Sequence, residues 1–230
     1  MARIVKEEEY NAKRSEILDV GLSLVYTKGY EQMTIQDILD GLSISRGAFY
    51  HYFDSKQALL EALVERMGRQ AEQAILPIVQ DPHLTAVEKF CRYFEVSGRS
   101  KSMQKELVTS LMRLWYSDEN ALIRQKMIRD ALRHTPRLLE PIIRQGIAEK
   151  VFTTAFPEQA AVIIAGIDLS LSDAIIAPLL APGPGQEAQQ KLAPLLAAYA
   201  DAVERILGAP AGSLKVFAAD DFKEWQGTSR

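Results

Sequence analysis

The segment from Thr34 to Lys56, TIQDILDGLSISRGAFYHYFDSK, constrains the fold more than any other part of the chain. Its first half places aliphatic residues three and four positions apart, which predicts a short helix with one apolar face: Ile35, Ile38, Leu39 and Leu42. The polar run that follows breaks this spacing, and Ser45 is suited to cap a second short helix through Tyr52. Two short helices with a tight connection, followed by aromatic residues and a third helix, are typical of groove-reading helix pairs.

Composition places the chain among ordinary globular proteins, with 230 residues, 47% hydrophobic and 25% charged. The net charge is −3, and residues 1–60 contain seven Lys or Arg against nine Asp or Glu. This balance does not favour non-specific DNA binding, although residues 43–56 carry a local net charge of +1. Any DNA contact must therefore depend on a few well-placed side chains.

The cysteine, histidine and apolar patterns exclude several classes of protein. The single cysteine, Cys91, rules out an intramolecular disulfide and is expected to be a buried thiol. The sequence contains no apolar run long enough for a membrane span and no signal-peptide core, so we expect a cytoplasmic protein without membrane contact. The three histidines are scattered, and the chain has no phosphate loop or nucleophile elbow. We therefore expect no metal, no cofactor and no enzymatic activity.

Apolar residues recur at helical spacing almost throughout, which predicts an all-α chain. The first helix is expected from about Lys13 to Lys28. Because proline removes a backbone donor and crowds the preceding turn, helices are expected to end or break near Pro77, Pro136 and Pro141. A further break is expected at the polar run 98–100.

The second short helix and its surroundings carry side chains suited to DNA. Arg46 can donate two hydrogen bonds to guanine, and Gly47 can let the backbone approach the duplex; a solvated arginine and a packing glycine are the plain alternatives. Free amides and hydroxyls at helix starts suit phosphates. Phe49 and Phe53 are expected in the core. The predicted DNA contacts are Thr34, Gln36, Ser45, Arg46, Gly47, Tyr50, His51, Tyr52 and Lys56.

These residues resemble a known family. The run from Ile17 to Leu63 is similar to the DNA-binding domain of the tetracycline-repressor (TetR) family of bacterial transcriptional regulators. The resemblance is carried by Thr34, Ser45-Arg46-Gly47, Phe49 to Phe53, Ser55-Lys56 and Leu59-Leu60. The runs QGIAE at 145–149 and PEQA at 157–160 resemble a segment of the family's second domain.

The resemblance implies a two-domain architecture and a function. It implies a helix-turn-helix domain at 1–56, a connecting helix at 57–80, a C-terminal helical ligand-binding and dimerisation domain at 81–207 and a tail at 208–230. It also implies a homodimer through the two long C-terminal helices, which binds a pseudo-palindromic double-stranded DNA operator, generally as a repressor, and is released by a small-molecule effector. The apolar run 162–165 and its counterparts at 192–196 offer more apolar surface than a monomer should expose.

The chain departs from the family pattern at two positions. Leu39 stands where many members have alanine, so the two short helices are expected to pack slightly farther apart. Ser43 stands where many have glycine, so it must take the turn conformation at a modest cost.

The second domain offers candidates for effector binding, although ordinary core packing explains each of them alone. The apolar and amphipathic candidates could line a cavity, and Asp168, within an apolar helix, could meet a cationic ligand or a polar partner. The set comprises Phe90, Tyr93, Phe94, Met112, Trp115, Tyr116, Met127 and Asp168.

A different class of function remains open. The chain could be a helical ligand-binding or scaffolding module whose helix-turn-helix does not bind specific DNA. The acidic run Glu7-Glu8-Glu9 and the net negative N-terminal part favour this alternative.

Overall fold

A computed structural model describes residues 2–103, 121–180 and 186–216 of the chain. Within these ranges the protein is helical and contains no strand, which confirms the all-α prediction. The described helices are α1 (Ala2–Lys28), α2 (Ile35–Leu42), α3 (Arg46–Tyr52), α4 (Lys56–Gln80), α5 (Ala86–Met103), α6 (Ala121–Ala148), α7 (Pro157–Leu180) and α8 (Gln186–Leu207).

The chain divides into two compact units. The first contains α1, α2, α3 and the part of α4 up to Gln70, and the second contains the remainder of α4, α5, most of α6, α7 and α8. Because the division falls inside α4, the domain boundaries at residues 56 and 80 stay a prediction.

The first unit is built around aromatic and aliphatic side chains from all four of its helices. Phe49 of α3 is fully buried and Phe53 is 3% exposed, as the sequence predicted. They share this core with Ile17, Leu18, Val25, Ile38, Leu39, Leu59, Leu60 and Leu63. Fully burying a side chain of this kind stabilises a fold by about 1.5–3 kcal/mol, so this packing is what holds the short α3 in place.

The connection between α2 and α3 depends on a left-handed residue. Ser43 has φ 51° and ψ 43°, and the Ile44 amide donates to the Leu39 carbonyl at 3.1 Å. This geometry closes α2 in the way a glycine normally would, so the prediction for Ser43 is confirmed. Leu39 is only 5% exposed, which shows that the α2 side of the turn accommodates the larger residue.

The expected proline breaks are wrong. α4 continues through Pro77 to Gln80, and α6 continues through Pro136 and Pro141 to Ala148. A proline inside a helix costs about 3 kcal/mol, but aliphatic residues between and after the prolines of α6 are almost fully buried: Leu138, Leu139, Ile142 and Ile143. Their burial offsets the lost hydrogen bonds. The expected break at 98–100 is also wrong, because α5 extends to Met103.

α1 begins earlier than predicted. It starts at Ala2 rather than near Lys13. The sequence of the added turns does not repeat apolar residues at helical spacing, so hydrophobic spacing did not predict them. They are rich in good helix formers, and Tyr10 within them contacts aromatic residues of α3.

The second unit has its own core and a docked extension. Its largest fully buried side chains are Phe90, Phe94, Phe152 and Leu139. After α8, the chain folds back so that Leu214 and Val216 are each 3% exposed. The buried Glu204 carboxylate fixes this segment, because it accepts hydrogen bonds from the amides of Gly212 and Leu214, each at 2.9 Å. The first part of the predicted tail, up to Val216, therefore packs on the second unit.

Candidate nucleic-acid interface

The start of α2 is held by a reciprocal cap. The Asp37 amide donates to the Thr34 hydroxyl oxygen at 3.1 Å, and the Thr34 amide donates to the Asp37 carboxylate at 2.9 Å. The Thr34 hydroxyl also donates to this carboxylate, and Lys28 donates to its other oxygen at 2.6 Å. These bonds, that from Lys28 most of all, lower the pKa of Asp37 from 3.8 to about 2. Thr34 is exposed, but its hydroxyl proton is already engaged inside the protein.

Asp37→Asn is expected to make the protein less stable at neutral pH by removing the charge that Lys28 and Thr34 bind. Because the folded-state pKa lies below the unfolded-state pKa, the stabilisation is present above about pH 4 and is lost as the pH falls through about 2. Urea unfolding of both proteins across this range should show their difference in unfolding free energy shrinking towards zero. A difference that does not change with pH would contradict this account. Glu9→Gln, at an exposed site, is the control.

Gln36 is the second residue of α2 and is exposed. Its side-chain amide donates to the Asp40 carboxylate at 2.7 Å, which orients the amide along the helix surface. The carboxylate places a negative charge beside Gln36, so this part of α2 does not attract phosphates by charge. Its role as a DNA contact stays a prediction.

At the start of α3, Ser45 caps the helix, whereas Arg46 and Gly47 are exposed and have no structural role among the described residues. Ser45 has the extended backbone of an N-cap, and its hydroxyl accepts from the Ala48 amide at 3.2 Å, which confirms the predicted cap. Arg46 is exposed and forms no salt bridge with any residue that the structure describes. At Gly47 an added Cβ would meet only the Ser45 hydroxyl oxygen, at 3.9 Å. Packing within the described residues therefore does not explain the glycine.

The aromatic run of α3 is divided between the core and the surface. Phe49 and Phe53 point inward, with ring centroids 5.9 Å apart. Tyr50 is 44% exposed and meets Phe49 edge to face at 5.6 Å. Its hydroxyl is thus presented on the outer face while its ring is supported from within. This is the arrangement expected of a phosphate or base contact.

His51 and Tyr52 lie at the C-terminal end of α3, where they pack against α1. His51 is exposed and Tyr52 is half-buried. The Tyr10 ring centroid lies 5.6 Å from that of His51 and 4.8 Å from that of Tyr52. His51 is therefore both an exposed group and part of an aromatic cluster.

Lys56 has partners within the protein. Its ammonium lies 4.3 Å from the centroid of the Tyr30 ring and donates to the Glu31 carbonyl at 3.3 Å. Burial lowers the pKa of Lys56, and burial raises the pKa of Tyr30 to about 12. A phosphate contact by Lys56 stays a prediction, and it would compete with these bonds.

Most of the predicted DNA contacts thus lie on α3 and at its start. The sequence did not predict two residues of α1 that pack against the end of α3. Tyr10 and Arg14 of α1 reach the aromatic end of α3, with the Arg14 guanidinium carbon 4.9 Å from the centroid of the Phe53 ring. Residues 10, 14 and 17 share one helical face, and Ile17 is fully buried, so this spacing was the available signal.

The second unit contains a polar cluster among aromatic residues. Tyr93 of α5 and Tyr199 of α8 are each 5% exposed. Burial, and then the negative charge of Asp168 on α7, raises the pKa of both tyrosines. Three helices thus contribute polar groups to one place.

This cluster includes part of the predicted effector set. Phe94 meets Phe90 at 5.1 Å and Tyr199 at 6.1 Å between ring centroids, so these residues surround the polar groups. Met127 is half-buried on α6. The predicted positions Met112, Trp115 and Tyr116 lie outside the described residues. Tyr199 was missed, although a tyrosine in an apolar helix face needs a hydroxyl partner, and Asp168 needed one as well.

The described ranges contain neither a metal site nor a membrane-spanning helix. Those residues include no group of three or more His, Cys, Asp or Glu side chains that could hold a metal ion. None of the described helices is long and apolar enough to cross a membrane.

The α2–turn–α3 geometry is that of a helix-turn-helix, and comparison with known proteins agrees with it. Residues 17–63 match the family described as bacterial regulatory proteins, tetR family. The HTH-type transcriptional regulator EthR of Mycobacterium tuberculosis is 28% identical over 137 residues, which cover 52% of this chain and 63% of EthR. The HTH-type transcriptional repressor KstR2 of Rhodococcus jostii is 33% identical over 54 residues, covering 24% and 26%. The chain thus spans about three-fifths of EthR.

Solved structures share the fold over most of the chain. A TetR-family transcriptional regulator from Pectobacterium atrosepticum has a TM-score of 0.58 at 20% identity, covering 88% of this chain and 98% of that one. A transcriptional regulator from Cytophaga hutchinsonii has a TM-score of 0.63 at 14% identity, covering 85% and 98%. At these identities the likeness concerns the fold alone. The match to the tetR family of bacterial regulatory proteins thus covers the helix-turn-helix segment, residues 17–63.

Proposed function

We propose that this protein is a ligand-responsive transcriptional regulator, acting as a repressor in the cytoplasm. It binds a pseudo-palindromic DNA operator as a homodimer, with α3 as the recognition helix in the major groove, and a small-molecule effector releases it. The names of EthR and KstR2 as a transcriptional regulator and a transcriptional repressor support this proposal.

The observation that carries the proposal is the exposed start of α3. Arg46 is presented without an internal salt bridge among the described residues, next to a glycine that packing does not require. An unconstrained guanidinium can donate two hydrogen bonds to one guanine, and a residue without a side chain beside it allows close approach. Arg46, Gly47 and Tyr50 together form a surface suited to contact the base edges and the phosphate backbone of a DNA groove.

The homodimer rests on exposed apolar surface in the second unit. Val162 and Ile163 of α7 are 51% and 50% exposed, whereas their neighbours Ile164 and Ala165 are buried within the subunit. Ala193, Ala197 and Ala198 are exposed on α8. A second copy of the same two helices would cover this surface, and the two-fold symmetry of the dimer predicts two matching half-sites in the DNA.

The effector is proposed to act on the cluster of Tyr93, Asp168 and Tyr199. A ligand that enters among these groups needs polar atoms as well as apolar surface, because buried hydroxyl and carboxylate groups are costly to leave without hydrogen bonds. Release of DNA requires the effector to bind the operator-incompetent state more tightly than the competent one, and the shift cannot exceed this difference in affinity.

Selection of duplexes from a random double-stranded DNA pool by the full-length protein tests the proposal. We expect recovery of a sequence with two inverted half-sites, bound as a dimer in analytical ultracentrifugation. Recovery of no preferred sequence would reject the proposal. It would instead favour a helical ligand-binding or scaffolding module without specific DNA binding, an alternative supported by the exposed Glu7, Glu8 and Glu9 at the start of α1.

Gly47→Ala should separate folding from DNA binding. The new Cβ has space, so stability should be unchanged or rise by about 0.5–1 kcal/mol, as for a helical glycine replaced by alanine. Affinity for the selected duplex should fall about tenfold if the backbone lies against DNA, since a methyl group then separates the surfaces. Gly68→Ala, also exposed with nothing within 4 Å of the new Cβ, is the matched control and should leave binding unchanged. Equal affinity of Gly47→Ala and wild type would contradict close approach here.

A further inference from the structure

The first helix begins before the segment that matches the family, and its early turns contact the recognition helix. The rings of Tyr10 and Tyr52 are tilted by 34° with centroids 4.8 Å apart, and Tyr10 meets His51 edge to face at 84° and 5.6 Å. One turn later, Arg14 lies over the Phe53 ring at 4.9 Å. A single face of α1 therefore covers the end of α3.

The recognition helix needs such support at its C-terminal end. It has seven residues, about two turns, and a helix of this length is not stable without tertiary packing. Ser45 fixes its start and Phe49 its middle. Beyond Phe49, the side chains of the helix are exposed or half-buried, so their direction depends on neighbours outside α3.

We propose that Tyr10 forms an aromatic clasp on His51 and Tyr52 and is a positioning residue that orients these two side chains for DNA. The inference rests on the proposed function, because it assigns a role in operator binding. The clasp acts through the ring of Tyr10, which orients two side chains in each subunit without touching the duplex itself. Both of its contacts are face and edge contacts of aromatic rings, which favour defined relative orientations.

The first test compares Tyr10→Ala and Tyr10→Phe in the full-length protein on the duplex selected by the wild type. We expect Tyr10→Ala to bind about tenfold more weakly, which corresponds to about 1.4 kcal/mol. Tyr10→Phe should bind within about twofold of the wild type, because it keeps the ring. Asn11→Ala shortens the adjacent, exposed side chain of α1. It is the control for shortening a side chain on this helix and should bind as the wild type does.

The possible outcomes distinguish the inference from the function on which it rests. Wild-type affinity in Tyr10→Ala would overturn the inference and leave the proposed function intact. Equal loss in Tyr10→Phe and Tyr10→Ala would also overturn it, because the hydroxyl rather than the ring would then be the active group. If the wild type selects no duplex, the proposed function fails and the positioning role fails with it.

A second measurement detects the clasp without DNA. The imidazole protons of His51 should show ring-current shifts from Tyr10 that disappear in Tyr10→Ala and persist in Tyr10→Phe. His83 and His134 lie in the other unit and serve as internal references. His51 resonances that do not respond to Tyr10→Ala would overturn the clasp, even if that variant bound DNA poorly.

Discussion

Arg46→Ala is expected to abolish the preference of the protein for its operator while leaving the fold intact. A bidentate arginine–guanine pair contributes about 1–3 kcal/mol of discrimination, and a dimer uses it twice, so specific affinity should fall by about two orders of magnitude or more. Binding to a scrambled duplex should change little. Fluorescence anisotropy with the selected and scrambled duplexes measures both quantities.

Arg69→Ala is the matched control for this prediction. Arg69 is an exposed arginine of the same unit, and it pairs with Glu65 of its own helix at 3.6 Å. Its loss should alter neither affinity nor specificity, and an exposed pair of this kind contributes little to stability. If Arg46→Ala and Arg69→Ala weakened both duplexes equally, Arg46 would act as bulk charge and would not read a base.

Phe49→Ala is expected to cost about 3–5 kcal/mol of stability, because it removes a fully buried aromatic side chain from the centre of the first unit. Operator binding should be lost with it, since α3 has no other side chain that is fully buried. Urea unfolding followed by circular dichroism measures the change in free energy.

Tyr50→Ala, at the adjacent residue, should show the opposite pattern. Tyr50 is 44% exposed and has only an edge contact with Phe49, so its loss should cost less than about 1 kcal/mol. Its removal should nevertheless weaken operator binding. Similar losses of stability in both variants would contradict the assignment of Phe49 to the core and Tyr50 to the surface.

Local chemistry made the α2–α3 segment predictable. The Ser45 cap, the left-handed Ser43 and the burial of Phe49 and Phe53 each follow from residues within a few positions of one another. Such interactions are encoded in short stretches of sequence, so they can be predicted from the sequence alone.

Features that depend on distant residues could not be predicted in the same way. The helix through Pro136 and Pro141 survives because its buried neighbours find partners elsewhere in the second unit. Asp168 and Tyr199 lie on two different helices, close enough for the charge of Asp168 to raise the pKa of Tyr199, and no pattern within either helix shows which residues will meet. The early start of α1 was not predicted, because apolar residues do not recur at helical spacing in its first turns.

The division of labour on α3 has a consequence for how such regulators diverge. Folding depends on the inward residues Phe49 and Phe53 and on the Ser45 cap, whereas Arg46, Gly47 and Tyr50 face outward and support little of the structure. Substitutions at the outward positions can therefore accumulate with little loss of stability. If α3 is the recognition helix, as proposed, a gene duplicate would need only a few substitutions at these positions to acquire a new operator, and a library randomised at these three positions should consist mostly of folded proteins.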